Sequence, residues 1–137
     1  MAETQNIAAM ADKVADEVFA VFGWKQHGPK NHNWACSQED HGKKTHPSDV
    51  VFYYDDVYTH DRVYVSTDLK SYSKKKISAQ QLLPSIRSLA QSVECANSGS
   101  EWRKSYVGED TNWRCEGLLF IHNQTGGGRN RTTGAQI

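Results

Sequence analysis

At 137 residues the chain suits one domain with a modest core. Its 16 basic and 16 acidic residues balance to a formal net charge of zero, which argues against a histone-like protein held to nucleic acid by bulk charge and leaves room for a local basic patch. No apolar run approaches the roughly 20 residues needed to span a membrane, no basic-then-apolar leader opens the chain, and the three scattered cysteines (Cys36, Cys95, Cys115) predict no disulfide framework, so a cytoplasmic protein without membrane association is expected.

In chain order, Ile7, Met10, Ala11, Val14, Val18, Val21 and Phe22 recur at three- and four-residue spacing and predict an amphipathic helix over residues 4–22, stopped by Gly23. Glu17 projects from the margin of its apolar stripe. Residues 24–30, with Gly28-Pro29, read as a turn-rich connector, and residues 33–37 as a short strand. A polar loop over 38–45 leads through His46-Pro47-Ser48 into a stronger strand over residues 49–54. After a polar turn at 55–61 comes the most informative stretch, residues 62–72. Val63, Val65, Thr67 and Leu69 share one face of a strand; Tyr64, Ser66, Asp68 and Lys70 share the other. Asp68 and Lys70 thus sit two residues apart on one face, an arrangement that marks a salt bridge on a solvated edge or a site.

Ser78 as N-cap, Gln81 completing a capping box, and the Ile77/Leu82 staple predict a helix start, with a kink or restart at Pro84. Ile86, Leu89, Ala90 and Val93 form its buried face, and residues 97–99 stop it. Residues 101–112 carry no clear pattern. Residues 116–122 are nearly continuously apolar and read as a buried strand. The first three strands can form an antiparallel meander, while the last, returning after a helix, can pair parallel. Residues 1–124 are expected to form the domain, and 125–137, rich in Gly, Thr and Arg, a flexible tail or the start of a linker.

Asp49 begins one central strand, and Asp68-x-Lys70 ends the next. Neighbouring antiparallel strands lie about 4.8 Å apart, so both carboxylates can converge on one ion, with Glu17 reaching the same edge from the first helix. Hard oxygen ligands of this kind suit Mg²⁺. Lys74, Lys75 and Lys76 follow the site and read equally as a solvated run or as contacts to a nucleic-acid backbone.

Pro47-Ser48-Asp49 and Thr67-Asp68-Leu69-Lys70, between Val-rich strands and after a helical Glu17, resemble the PD-(D/E)xK nuclease superfamily. The resemblance covers roughly residues 4–122 and includes the order of the elements. Ser48 departs from the motif, which has proline directly before the acid. The run from His46 to Tyr72 is also similar to nuclease-like domains of bacterial anti-phage systems. The resemblance implies an α/β fold with a restriction-endonuclease-like αβββαβ core, a mixed β-sheet flanked by helices. It implies a metal-dependent endonuclease acting on nucleic acid, DNA foremost, with Mg²⁺ (or Mn²⁺) held by Asp49, Asp68, the Leu69 carbonyl and Glu17. Lys70 would complete the catalytic set, and Ser71 with Lys74–Lys76 would contact phosphate. Such enzymes leave room for a homodimer or a partner subunit.

Two other readings stand beside this one. A nuclease-like fold can be a non-catalytic module that binds nucleic acid or a partner. Alternatively, His27, His32, Cys36, His41 and His46, five potential ligands in twenty residues, could make a small zinc-binding domain, although their spacings match no regular zinc motif.

Overall fold

The structure, a computed structural model, describes residues 9, 13, 14, 16–72, 78–108, 112–124 and 130–136. Its centre is a five-stranded mixed sheet of β1 (Lys25–Gln26), β4 (Val50–Asp55), β5 (Arg62–Tyr72), β6 (Trp113–Gln124) and β7 (Asn130–Gln136), in the spatial order β1-β4-β5-β6-β7. β2 (His32–Ala35) and β3 (Thr45–Ser48) form a separate antiparallel ribbon, with Trp34 opposite His46 and Asn33 opposite Pro47. Two helices, α1 (Ala79–Ser98) and α2 (Glu101–Tyr106), lie between β5 and β6 in the chain. Among the described residues no helix is long and apolar enough to cross a membrane.

The strand of residues 62–72 forms as its alternation predicts. β4 and β5 make an antiparallel hairpin, with Val50 opposite Thr67 and Asp55 opposite Arg62. β5 and β6 run parallel over eleven paired positions, from Arg62↔Trp113 to Tyr72↔Asn123, as expected of a strand that returns after a helix. Val63, Val65 and Leu69 face a core shared with Val50, Phe52, Leu118 and Phe120 and with Val14 and Phe19 from the N-terminal segment. Phe19 sits edge-on to Phe52 and Phe120, with ring centroids 4.7 and 5.7 Å apart. On the opposite face Tyr64, Val51 and Cys115 pack with Trp34, Cys95, Ala96, Trp102 and Tyr106. The sheet is therefore covered on both sides, as a central parallel pair requires.

Several boundaries differ from the expectations. The described residues 9, 13, 14, 16 and 17 of the predicted 4–22 helix are helical, and Phe19–Phe22 then tightens into a 3₁₀ turn ended by Gly23 at φ 74°. The remainder of that helix lies outside the described residues. The meander is corrected: residues 32–35 leave the main sheet for the ribbon, and their expected place beside β4 is taken by Lys25 and Gln26. α1 begins with the expected capping box, in which the Gln81 N–H donates to Ser78 Oγ and the Ser78 N–H to Gln81 Oε1. It then runs unbroken through Pro84, which is exposed, so the carbonyl whose helical donor is missing can turn to water. Residues 101–106, patternless in the sequence, are helical because Trp102 and Tyr106, four apart, both bury against the sheet. Residues 130–136, read from composition as part of a flexible tail, pair antiparallel with β6. β6 would otherwise be an edge with unpaired N–H and C=O groups, a pull that composition does not report.

α1 rests directly on the backbone of β6. A Cβ built on Gly117 would lie 2.9 Å from both Leu89 Cγ and Val93 Cγ2, a branch carbon and a methyl held close to the helix backbone. Gly117→Val is therefore expected to cost about 1–3 kcal/mol by overpacking, read as a lowered urea midpoint. An unchanged midpoint would show that the helix is not seated on this residue.

Candidate active site

Asp49 occupies the single residue between β3 and β4, and the chain fixes it from several directions. Its N–H donates to the Thr67 carbonyl (3.2 Å), and its own carbonyl accepts from the Asn31 N–H (2.7 Å). Its carboxylate accepts from the Leu69 N–H through Oδ2 at 2.7 Å. One residue earlier, the buried Ser48 Oγ accepts from Trp34 Nε1 (3.1 Å) and shares a hydrogen bond with Ser66 Oγ (2.8 Å), which ties the ribbon to β5. Thr67 Oγ1 donates to the Val50 carbonyl at 2.6 Å and closes the start of the hairpin. The serine that interrupts the expected Pro-Asp pair is thus a buried anchor for the acid that follows it.

Asp68 lies on the α1 side of β5, with Tyr64 and Ser66. Asp49, Thr67 and Asp68 line a small open cleft with Pro47 and with Ser88, Leu89 and Ser92 of α1. Burial pushes the Asp49 carboxyl above the usual carboxylate range. The Leu69 hydrogen bond and the Lys70 charge oppose this; the Asp68 charge and a side-chain hydrogen-bonding contact with Asp68 add to it. Lys70 Nζ is 3.4 Å from Asp68 Oδ1, with the two side chains 39% and 20% exposed. Two acids and one ammonium therefore meet at the expected end of the hairpin.

Acids elsewhere on the sheet are matched differently. At the far end of β5, Arg114 reaches Asp56 (3.2 Å), Glu116 (3.3 Å) and Asp61 (3.4 Å), and Arg62 holds Asp55 at 2.9 Å. Those carboxylates serve a structural network of guanidinium groups. The Asp49–Asp68 pair instead faces an open cleft.

Leu69 contributes only backbone to this end of the sheet, since its side chain is in the core at 2% exposure. A strand residue sends its N–H and C=O to the same side. The N–H reaches Asp49, so the Leu69 carbonyl also leaves toward the β4 side, beyond the point where β4 pairing ends. Glu17 does not join the group. It is exposed, and its helical segment packs through Val14 and Phe19 on the other face of the sheet. Among the described residues no cluster of three candidate ligands contains Glu17, Asp49 or Asp68. Lys74, Lys75 and Lys76, and the side chain of Ser71, lie outside the described residues.

The sequence did not point to the helical wall of the cleft. Ser92 is buried and donates to the Leu89 carbonyl (2.8 Å). Ser88 accepts from Lys43 Nζ at 2.7 Å, which brings a cation from the 38–45 loop to the rim. Both serines sit on the inward side of α1, but serine on a helix is too common to carry a signal. Of the five residues of the 27–46 segment, Cys36, His41 and His46 gather beside α1 with Cys95. His27 instead packs edge-on to Tyr53, and His32 lies 3.2 Å from Ser105 Oγ and edge-on to Tyr106.

The donor set at the cleft fits a hard divalent cation. Mg²⁺ is bound by one or two carboxylates, keeps several waters and shares oxygens with substrate phosphate. The two acids and the adjacent carbonyl offer oxygen alone, with no soft donor among them.

A protein-family model described as "GAPS4 protein PD-(D/E)XK nuclease domain" matches residues 1–136 of the chain. No curated protein and no solved structure matches it.

Proposed function

The chain belongs to the family of GAPS4 PD-(D/E)XK nuclease domains, and from that premise we propose that it is a metal-dependent endonuclease that hydrolyses phosphodiester bonds of DNA at the Asp49–Asp68–Lys70 cleft, with an anti-phage role. The observation that carries this reading is the meeting of Asp49 and Asp68 beside Lys70 at one end of the hairpin. Asp49, Asp68 and the Leu69 carbonyl would hold Mg²⁺ (or Mn²⁺), which when bound neutralises charge on a phosphate oxygen and lowers the pKa of a water.

The chain's own groups have defined tasks. The Leu69 N–H fixes the direction of the Asp49 carboxylate, and the Asn31 and Thr67 backbone groups fix its position, so the acid is preorganised. Lys70, held by Asp68, presents an ammonium to the negative charge that builds on the phosphoryl oxygens. In the reaction a water oxygen bonds to phosphorus, one P–O ester bond breaks, and the departing oxygen takes up a proton. Lys43 at the rim, Ser71 and the Lys74–Lys76 run would hold flanking phosphates.

The test is incubation of the purified chain with supercoiled plasmid, linear duplex, single-stranded DNA and RNA, each with Mg²⁺, with Mn²⁺ and with no added ion. Nicking or linearisation of duplex DNA that requires the ion is the expected result. A chain that leaves every substrate intact under all conditions overturns the proposal.

A further inference from the structure

Between the ribbon and α1, Cys36, His41, His46 and Cys95 present Sγ or ring-nitrogen atoms that all lie within 4.8 Å of one another. Cys36 Sγ is 3.6 Å from Cys95 Sγ and 3.6 Å from His41 Nδ1, and Cys95 Sγ is 3.1 Å from His41 Nδ1. A zinc ion with Zn–S of about 2.3 Å and Zn–N of about 2.0–2.1 Å has tetrahedral edges of roughly 3.8 Å between sulfurs and roughly 3.6 Å between sulfur and nitrogen. The Cys36–Cys95 and Cys36–His41 separations are close to those edges, and the Cys95–His41 separation is about 0.5 Å shorter. We propose that these four side chains bind a structural Zn²⁺ in a Cys₂His₂ site that clasps the β2–β3 ribbon to α1.

Three independent features point the same way. His46 is fully buried, and neither of its ring nitrogens has a hydrogen-bond partner among the described residues. A buried polar group without a partner is costly, and a metal bond would satisfy one of the two nitrogens. Second, His41 Nε2 lies 3.2 Å from Glu94 Oε2. A carboxylate only accepts, so Nε2 carries a proton, and Nδ1 faces the two sulfurs. This is the carboxylate–histidine arrangement that orients zinc ligands. Third, two thiols and two imidazoles form a soft, four-donor set that suits zinc and leaves no open position, unlike the oxygen donors of the cleft.

A disulfide explains less. The Cys36 and Cys95 thiols are free, and joining them would leave His46 without a partner. The loop geometry also fits: the Ala35↔Thr45 pair closes the ribbon, and Gly42, at φ 66°, turns the chain straight after His41. Cys36 and His41 thus come from the loop between β2 and β3, His46 from β3 itself and Cys95 from the helix. The site would brace both walls of the cleft, because His46 is three residues before Asp49 and Cys95 one turn after Ser92.

Untagged protein expressed in zinc-supplemented medium and purified without chelator should carry about one zinc per chain by plasma mass spectrometry. Replacement by Co²⁺ should give the intense visible bands of a tetrahedral thiolate site. Cys95→Ser and His46→Asn should lose the ion, and Glu94→Gln should weaken it by roughly 10–100-fold in a competition titration. Should the ligand variants fail to fold, the metal content and cobalt spectrum of the unsubstituted chain decide alone. Folded protein without zinc, a Cys36–Cys95 disulfide in the native mass spectrum, or zinc retained by Cys95→Ser would overturn the proposal.

Discussion

Asp68→Asn and Lys70→Met proteins are expected to fold like the unsubstituted chain and to lose ion-dependent cleavage by about a thousandfold or more. The size follows from what the two groups would supply. Metal-borne charge stabilisation is worth several kcal/mol in the transition state, and each 1.36 kcal/mol is a factor of ten in rate. The cost to folding is small by comparison. The Asp68–Lys70 pair, at 3.4 Å with Lys70 39% exposed, is screened by solvent, and exposed pairs of this kind contribute about 0–1 kcal/mol. Lys104→Ala removes an exposed cation paired with Glu101, outside the cleft lining, and should leave the rate unchanged. Initial rates on plasmid, with circular dichroism melts of the same preparations, provide the check. Full activity in both substituted proteins would remove these residues from the mechanism.

Asp49→Asn separates stability from activity. Burial and the Asp68 charge raise the Asp49 pKa in the folded state, so the fold disfavours the ionised form. The sign follows directly. Below the unfolded value of about 3.9 both states hold the protonated acid and no penalty arises; stability is then lost as pH rises through the folded value. At pH 7 the penalty is in force, and asparagine removes it while keeping an oxygen to accept from the Leu69 N–H. Without added Mg²⁺, Asp49→Asn should melt higher than the unsubstituted chain at pH 7. The difference should shrink toward pH 4. Added Mg²⁺ should raise the melting temperature of the unsubstituted chain by binding the folded state and leave Asp49→Asn unmoved and inactive. Calorimetry at both pH values, with and without the ion, measures all of this; a lower melt for Asp49→Asn at pH 7 without Mg²⁺ would show that the acid is there for structure.

The residues that could be read in advance are those whose signals are local. Alternation alone places Val63, Val65 and Leu69 in one core and Asp68 and Lys70 on the other face, and Ser78 with Gln81 marks the start of α1 from four consecutive residues. β6 is legible because a parallel strand covered on both faces is apolar at nearly every position. The unread features depend on the return of distant chain. Cys95, 59 residues from Cys36, gives no sign in the sequence that it completes the cluster begun by Cys36, His41 and His46. Glu17 lies on a margin that could face either side of the sheet, and its side is decided by the burial of Val14 and Phe19 beneath Val63 and Val65. The second strand of the ribbon is not legible because Thr45–Ser48 carries a proline and a histidine, poor strand formers that pair here between Trp34 and α1.

The parallel union of β5 and β6 also bears on how the chain acquires its structure. Arg62 can pair with Trp113 only after both helices have looped back, a closure whose entropic cost falls before any contact repays it. β4 and β5 need close only the short turn at 55–61. The two carboxylates therefore belong to the part of the polypeptide that can assemble earliest, and the wall that shelters them belongs to the part that must come late.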